Sequence, residues 1–328
     1  MKPFDYTRPV TPDDALKARA AGQSGRFLGG GTNLLDLMKD DVVTATTLVD
    51  LTRLDLTAIR EHEDGLTLGA LARNSDTANH PAVRAKYPLL SQAMLAAASP
   101  QIRNMATNGG NILQRTRCPY FYDTAMPCNK REPGSGCGAI GGLNRMHAIF
   151  GASDQCVAVH PSDMAVALAA LEAKVRVRDP AGKERLIAFS DFHRLPGDEP
   201  QRDTTLNEDE LIVAIELPPS RYPGHTYYLK VRDRASYAFA LVSVAVALEM
   251  KGDKIQSARL ALGGVAHKPW RPRDAEEALE GGDATLDNFT KVAAIAMRGA
   301  KPLEHNAFKV ELGERAIMRA LGKASGLI

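Results

Sequence analysis

The segment Phe27-Leu28-Gly29-Gly30-Gly31-Thr32-Asn33-Leu34 decides the fold of this chain. Arg26 to Leu28 predict a short strand, the glycines a turn, and the apolar residues from Leu34 onward a helix. Three consecutive glycines let the backbone take positive φ angles and come close to a ligand. They also place successive N–H groups at the start of a helix, where an anion is stabilised. The segment therefore predicts a diphosphate site, with a merely flexible turn as the alternative.

A second glycine segment of similar type is Thr107-Asn108-Gly109-Gly110-Asn111. Two such loops can embrace one extended dinucleotide. The first segment lacks the Gly-x-Gly-x-x-Gly spacing of the Rossmann fingerprint and the Gly-Lys-Ser/Thr ending of a P-loop. The sequence therefore gives no support for binding of a nicotinamide nucleotide or of ATP.

All four cysteines, Cys118, Cys128, Cys137 and Cys156, lie within 39 consecutive positions after the second segment. A chain with an adequate core has little need of disulfides, so this grouping indicates a metal centre. The intervals lack the short C-x₂-C steps of zinc ribbons and ferredoxins, so the spacing does not identify the metal. Tetrahedral zinc and a [4Fe–4S] cluster both suit four thiolates, and four buried free thiols are the remaining alternative.

Length and composition limit the classes of protein to which this chain can belong. The 328 residues predict two or three domains, and 44% hydrophobic with 24% charged residues is ordinary for a soluble globular protein. A formal charge of +2 excludes the strong field that a nucleic-acid binder needs. The first residues contain no apolar segment of the kind a signal peptide needs, and the longest apolar run, 235–248, is too short to span a bilayer. We therefore expect no signal peptide, no membrane insertion and no nucleic-acid partner.

Capping signals and periodicity predict small helices and strands in the first two thirds of the chain. Thr11-Pro12-Asp13-Asp14 starts a short helix, and Ser162-Asp163 caps another over 164–173. The segment from Arg115 to about Phe150 has little periodicity and is predicted to be an irregular insertion that a metal would order. The further predicted elements are strands over 42–51, 66–72, 174–178 and 210–217 and a helix over 88–98.

Pro218-Pro219 marks the main predicted boundary. Beyond it the sequence predicts one sheet with helices packed on one face. The predicted strands are 227–232, 238–248 and 254–266, and the predicted helices are 274–280, 285–298 and 306–323.

Four segments together resemble the flavin subunit of molybdenum hydroxylases, the xanthine dehydrogenase and carbon monoxide dehydrogenase group: 27–34, 106–112, 160–163 and 230–236. Cys118-Pro-Tyr-Phe-Tyr-Asp, Pro127-Cys-Asn-Lys-Arg and Gly134-Ser-Gly-Cys137 more closely resemble the flavin and iron–sulfur subunit of bacterial periplasmic aldehyde oxidoreductases. The resemblance covers the chain nearly end to end.

The fold class that this resemblance implies is α+β. A two-subdomain FAD-binding module of the PCMH type would be followed by a sheet-plus-helices domain of the CO dehydrogenase flavoprotein C-terminal type. The implied ranges are 1–55 and 56–219 for the two subdomains, about 115–156 for a [4Fe–4S]-binding insertion, and 220–328 for the C-terminal domain.

The resemblance also implies FAD, with its diphosphate and ribityl chain on the two glycine segments. Ser162 and Asp163 would hold ribityl or adenosine hydroxyls, with a plain helix cap as the alternative. The residues implied for the glycine segments are Leu28, Gly29, Gly30, Gly31, Thr32, Asn33, Leu34, Thr107, Gly109, Gly110 and Asn111.

Two further residues are expected at the flavin ring. Leu211 would pack against the isoalloxazine, unless it is a core strand residue. Lys230, the catalytic candidate, would direct its ammonium at the N1–C2=O or N5 edge and stabilise the negative charge of reduced flavin. A solvated lysine on a strand is the alternative for Lys230.

For the four cysteines, the resemblance implies a [4Fe–4S] cluster. Arg117, Lys130 and Arg131 adjoin the predicted ligands, and their charge would favour thiolate over thiol. Solvated surface residues are the alternative for these three. The cluster is expected either on the electron path or as a structural element of the insertion.

The function that the resemblance implies is electron transfer within a heterotrimeric molybdenum-dependent aldehyde oxidoreductase. The expected partners are a small [2Fe–2S] subunit, a large molybdenum-cofactor subunit and an external electron acceptor. The alternatives are a self-sufficient FAD-dependent alcohol or aldehyde oxidase, the flavin subunit of an aromatic acyl-CoA reductase, and a zinc-ordered scaffold. The compartment is expected to be the periplasm, reached by export with a partner subunit, or the cytoplasm.

Overall fold

A computed structural model describes residues 1–22 and 24–328 of the chain. These residues form three β-sheets that follow one another along the sequence. The sheets lie at 5–50, 59–217 and 225–263, inside the three ranges expected from the sequence.

The first sheet is parallel, and its central strand pairs with both neighbours. Its helix α1 begins as predicted, since the Thr11 hydroxyl accepts a hydrogen bond from the Asp14 backbone N–H at 3.1 Å. The strand predicted over 42–51 is shorter, because the N–H groups of Val42 and Val43 both bond to the Leu37 carbonyl at the end of α2. The elements are β1 (Asp5–Thr7), α1 (Pro12–Ala21), β2 (Gly25–Leu28), α2 (Leu34–Lys39) and β3 (Thr47–Asp50), in the sheet order β1-β3-β2.

The second sheet is antiparallel throughout, in the order β4-β5-β8-β6-β7. Most of its helices lie between β5 and β6 along the chain, and α9 is buried along its whole length. The elements are β4 (Ile59–His62), β5 (Gly65–Gly69), α3 (Asn74–Asn79), α4 (Pro81–Lys86), α5 (Pro88–Ala96), α6 (Pro100–Arg103), α7 (Asn108–Ile112), α8 (Pro119–Tyr122), α9 (Asp163–Ala170), β6 (Lys174–Arg178), β7 (Glu184–Ala188), α10 (Phe189–Phe192) and β8 (Leu211–Leu217).

The third sheet is also antiparallel, in the order β11-β10-β9. Side chains alternate along β10, so that its valines face one side and Ala245 and Ala247 the other. The valine face packs on the C-terminal helices as predicted, whereas the alanine face packs on α5 and α9 of the second unit. The elements are β9 (His225–Val231), β10 (Val242–Lys251), β11 (Lys254–Gly263), α11 (Arg273–Leu279), α12 (Leu286–Ala296) and α13 (Phe308–Ser325).

The insertion at 115–156 is irregular, as predicted, with α8 as its helix. Polar side chains bonded to backbone groups order it. The Arg131 guanidinium donates to the carbonyls of Tyr120, Phe121 and Met126. The Asn129 side-chain oxygen accepts from the Gly134 and Gly136 N–H groups. These bonds supplement the small apolar core of the segment, in which Phe121 and Phe150 are buried.

Across residues 1–22 and 24–328, every helix is too short or too polar to cross a lipid bilayer.

We expect Phe289→Ala to destabilise the C-terminal unit. Phe289 in α12 is fully buried in the core between the third sheet and the C-terminal helices, and truncating such a phenylalanine costs about 3–5 kcal/mol. Leu286→Ala in the same helix is the control, because Leu286 is 54% exposed and its loss should cost no more than about 0.5 kcal/mol. Urea unfolding of both variants measures this, and equal midpoints would contradict the assignment of Phe289 to the core.

Candidate functional site

A cavity of about 1120 Å³ lies where the first two sheet units meet the loop after β9. It exceeds the roughly 300–1,000 Å³ of ordinary small-molecule pockets and is large enough for an extended dinucleotide. Of the residues expected at the cofactor, the following line it: Leu28, Gly29, Gly30, Gly31, Thr32, Asn33, Leu34, Thr107, Gly110, Asn111, Asp163 and Lys230.

The two glycine segments pack directly against each other at one side of this cavity. A Cβ atom added at Gly30 would lie 1.8 Å from the Met105 carbonyl oxygen, and one added at Gly29 would lie 2.8 Å from the Thr107 hydroxyl. Only glycine permits such an approach of one backbone to another. Gly31 also has a φ angle of +73°, in the left-handed region that favours glycine.

The second glycine segment begins helix α7. The Thr107 hydroxyl accepts from the Gly110 N–H at 3.2 Å and caps this helix. Gly109 does not line the cavity, because it packs against the Ala70 carbonyl and the Ile212 side chain of the second sheet. The N–H groups of residues 108–111 are already bonded to protein acceptors, so N–H groups of the first glycine segment, rather than the dipole of the six-residue helix α2, would stabilise an anion here.

Ser162 supports the second glycine segment from behind. Its hydroxyl donates to the Asn111 side-chain oxygen at 2.6 Å and accepts from the Ala165 N–H at 2.9 Å. Ser162 lines a smaller adjoining cavity of about 250 Å³ and not the large one. Ser162 was expected to contact the cofactor. In this structure its side chain instead caps α9 and orients Asn111.

Asp163 and Lys230 form a buried ion pair at the cavity wall. The Lys230 ammonium donates to Asp163 Oδ2 at 2.8 Å, and the two side chains are 4% and 5% exposed. The Tyr228 hydroxyl donates to the other oxygen of Asp163 at 2.7 Å. Burial, and then the charge of Asp163, raise the pKa of Tyr228 well above its usual value. Lys230 is therefore not a solvated lysine, and its charge is balanced by Asp163.

The structure corrects the prediction for Leu211. Leu211 is buried in a core cluster with residues of α1, β3 and β8, and it does not line the cavity. Its neighbour Glu210 reaches the cavity wall and accepts two hydrogen bonds from the Arg185 guanidinium. Leu211 is thus the core strand residue of the alternative interpretation.

Asp203 is a site residue that the sequence did not reveal. It accepts from Arg115 Nε at 2.7 Å and from the buried Lys130 ammonium at 2.5 Å. Burial alone would raise the pKa of Asp203, but the charges of Arg115 and Lys130 and their hydrogen bonds hold it well below the usual range. Asp203 lies 88 and 73 positions from these partners, so no local sequence signal could have found it.

The cavity wall is suited to an anion. Eight basic side chains line it, against six acidic ones. Five of the acidic ones are already paired with cations: Asp163, Asp203, Glu208, Glu210 and Asp233. The basic residues are Arg19, Arg26, Arg103, Arg115, Arg117, Arg202, Lys230 and Arg234.

The four cysteines are free thiols and converge at the insertion. Cys128 and Cys137 pair as an isolated β-bridge, and Cys156 lies close enough to Cys137 to shift its pKa. Cys118 lies near enough to Cys128 and Cys137 for their charges to act on it. The four cysteines, which span 39 positions of the sequence, therefore form one group in space.

The pKa values of these thiols differ because of their surroundings. Burial raises the pKa of Cys118 to about 11. Interaction with the Cys156 thiol, together with backbone N–H groups of residues 139, 140 and 157, lowers the pKa of Cys137 to about 6. Cys137 is thus the sulfur best prepared to be a thiolate, the form that binds metal.

Two histidines flank this group of thiols. His147 Nε2 lies 3.1 Å from the Cys118 sulfur, and His267 Nε2 lies 3.3 Å from the Cys156 sulfur. Burial lowers the pKa of His147 to about 4 and that of His267 to about 3, so both rings are neutral at pH 7. Within the described part of the chain, no three His, Cys, Asp or Glu side chains come together in an arrangement suited to a single metal ion.

The three basic residues beside the thiols are all engaged. Lys130 is 3% exposed and paired with Asp203, and the Arg131 guanidinium is bonded to backbone carbonyls. Arg117 donates to the Tyr122 hydroxyl and lies over the Phe239 ring. The alternative interpretation as freely solvated surface residues is therefore wrong for Lys130.

The residues present fit both expected groups. The backbone cradle at Gly29, Gly30 and Thr107, which a Cβ atom would fill, together with the basic wall, fits the diphosphate of FAD. The four converging free thiols form a soft donor set of the kind that iron–sulfur clusters use.

Comparison with known families gives two matches that together span almost the whole chain. Residues 2–220 match the FAD binding domain in molybdopterin dehydrogenase. Residues 227–324 match the CO dehydrogenase flavoprotein C-terminal domain.

Among curated proteins, the chain is 49% identical to the aldehyde oxidoreductase FAD-binding subunit PaoB of Escherichia coli (strain K12), over 99% of both chains. It is 30% identical to the glyceraldehyde dehydrogenase medium chain of Sulfolobus acidocaldarius, over 92% of this chain and 90% of that one. Among solved structures, a chain of the reconstituted CO dehydrogenase from Oligotropha carboxidovorans superposes with a TM-score of 0.78 at 26% identity, with 99% of both chains covered.

We expect Gly30→Ala to weaken FAD binding by at least about tenfold, which corresponds to about 1.4 kcal/mol. The added methyl group would lie 1.8 Å from the Met105 carbonyl oxygen, so the two glycine segments must separate. Flavin content per chain and the Kd of FAD for the deflavinated protein measure the effect. Gly224→Ala is the control, because a Cβ there meets no atom within 4 Å. An unchanged Kd in Gly30→Ala would show that the contact between the segments does not shape the FAD site.

Proposed function

The chain belongs to the family of FAD-binding subunits of molybdenum hydroxylases, and from this premise we propose that it is the electron-transfer subunit of an aldehyde-oxidising complex. Aldehyde oxidation would occur on a large molybdenum-cofactor subunit, and a small [2Fe–2S] subunit would conduct electrons to the FAD of this chain. An external acceptor would then receive them. The full-length similarity to a subunit named for aldehyde oxidoreductase supports this choice of substrate class.

The observation that carries the proposal is the contact between the two glycine segments at one wall of a large, arginine-lined cavity. Backbone N–H groups at residues 29–31 would bind the diphosphate, the second segment would shape the wall facing them, and the surplus of basic side chains would neutralise the charge. Bound FAD supplies exchange of electrons either singly or in pairs.

The Asp163–Lys230 pair supports a catalytic role for Lys230, but a weaker one than expected from the sequence. The ammonium lies at the cavity wall, where it would stabilise negative charge on a reduced ring. Asp163 and the Ala96 carbonyl fix its position through hydrogen bonds of 2.8 and 3.3 Å. Because the pair carries no net charge, its effect on the ring would come from the dipole of the oriented pair and be weaker than that of a lone ammonium.

We also propose that Cys118, Cys128, Cys137 and Cys156 bind one [4Fe–4S] cluster. A single tetrahedral ion would draw four sulfurs to about 2.3 Å from one centre. A cluster of four irons is larger than one ion, so its cysteine ligands stand further apart than those of a tetrahedral zinc ion. All four cysteines are free, as ligation by their sulfurs requires.

The isolated chain should carry FAD yet show no aldehyde oxidation of its own. We expect dithionite to bleach the visible flavin band of the purified chain, and an aromatic aldehyde to leave it unchanged. Addition of the two partner subunits should make the same aldehyde bleach the flavin. The control is the partner subunits with deflavinated chain. Aldehyde turnover by the chain alone would contradict the subunit role and favour a self-sufficient oxidase.

We expect Cys128→Ser to lose cluster iron and to make residues 115–156 sensitive to protease, because iron–thiolate bonds contribute folding free energy to a segment with little apolar core. Iron and sulfide analysis with limited proteolysis measures both effects. Met126→Ser is the matched control, since Met126 lies in the same segment, is 37% exposed and bears no thiol. Unchanged iron content and unchanged protease resistance in Cys128→Ser would rule out its role as a ligand.

A further inference from the structure

His147 and His267 approach the group of thiols from different parts of the fold. His147 lies within the insertion, and His267 follows β11 in the C-terminal unit. Each ring presents Nε2 to one sulfur, at 3.1 Å from Cys118 and 3.3 Å from Cys156. Both rings are buried, so water does not compete for these contacts.

The direction of these hydrogen bonds follows from the chemistry of the sulfur. An iron-bound thiolate has no proton, so it can only accept, and the facing ring nitrogen must carry the hydrogen. The other nitrogen, Nδ1, of each ring is buried and has no hydrogen-bond partner among the described residues. Each histidine therefore has its single strong polar contact at a cysteine sulfur.

The backbone of His147 is fixed from the C-terminal helix. Its carbonyl accepts from the Lys309 ammonium at 2.9 Å and from the Asn306 side-chain amide at 3.2 Å. Lys309 is fully buried, and its second bond, of 2.8 Å, goes to the Gly264 carbonyl. These bonds tie the His147 ring to the position from which it meets Cys118.

The surroundings of the thiols also contain two buried lysines, Lys130 and Lys309, and burial lowers the pKa of Lys309 to about 7. Lys309 has no carboxylate partner among the described residues, and Lys130 shares Asp203 with Arg115. A buried ammonium without a counter-ion is costly, and an anionic iron–sulfur centre would compensate it.

We propose that His147 and His267 are positioning residues that donate N–H···S hydrogen bonds to Cys118 and Cys156 and thereby raise the reduction potential of the cluster. The inference rests on the proposed function, because it requires a cluster at these cysteines. Reduction adds one negative charge that spreads over the sulfurs, so donors to sulfur stabilise the reduced state more than the oxidised one. The potential is therefore higher with the two donors than without them.

The test is a redox titration of the purified full-length chain, with the cluster signal followed by electron paramagnetic resonance. We expect the midpoint potential to fall in His147→Phe and in His267→Phe, and to fall further in the double variant. His147→Gln and His267→Gln should restore much of the potential, because the glutamine amide can place an N–H near the position of Nε2. His62→Phe is the control, since His62 lies on the exposed strand β4.

The outcomes separate the inference from the proposed function. A wild-type chain without iron would defeat the proposed cluster and this inference together, but not the electron-transfer role of FAD. Full iron content with an unchanged potential in both phenylalanine variants would overturn the inference alone. Loss of iron in the phenylalanine variants that glutamine does not restore would also overturn it, because the histidines would then be ligands of the metal. Lowered potentials that glutamine raises again would support it.

Discussion

The structure around the cofactor cavity depends on the contact of the Gly30 backbone with the Met105 carbonyl. The first glycine segment follows a strand of the parallel sheet, whereas the second precedes a short helix of the antiparallel unit. Their contact therefore sets how these two units face each other. Asn33 extends the same junction, because it accepts from the Arg115 N–H and donates to the Tyr122 hydroxyl at the start of the insertion. One backbone contact thus fixes the cavity and also orients the region of the cysteines.

The sequence predicted those parts of the fold whose signals are local. The predicted caps at Thr11 and Ser162 both form, since a capping hydroxyl and its N–H partner lie within three residues of each other. The fold class and the family are confirmed by the matches over 2–220 and 227–324. Helices α3 and α4 were not predicted, because their six residues include almost no large apolar side chains and so show no periodic pattern. The pairing of β8 with β5 and β6 joins strands far apart in sequence, which periodicity cannot reveal.

The candidate site was predictable to the extent that it consists of short motifs. Both glycine segments, Asp163 and Lys230 lie together at the cavity, while the roles given to Leu211 and Ser162 do not hold in this structure. Strand β8 is central in its sheet and buried on both faces, so the sequence could not tell which apolar side chain would meet a ligand. The pairing of Lys230 with Asp163 also escaped prediction, because each residue had been assigned separately to the cofactor.

Asp203 shows how the two candidate sites are joined. Its carboxylate accepts from Arg115 at the flavin cavity and from Lys130, two positions after Cys128. Buried ion pairs contribute little net stability, because desolvation of the charges offsets their attraction. The value of this network is therefore geometric: it fixes the insertion against the cavity wall, while Arg131 and Asn129 fix its internal turns. Such a network orients the thiols but adds little free energy. The proposed bonds to iron would supply the stability that the small apolar core of the insertion does not.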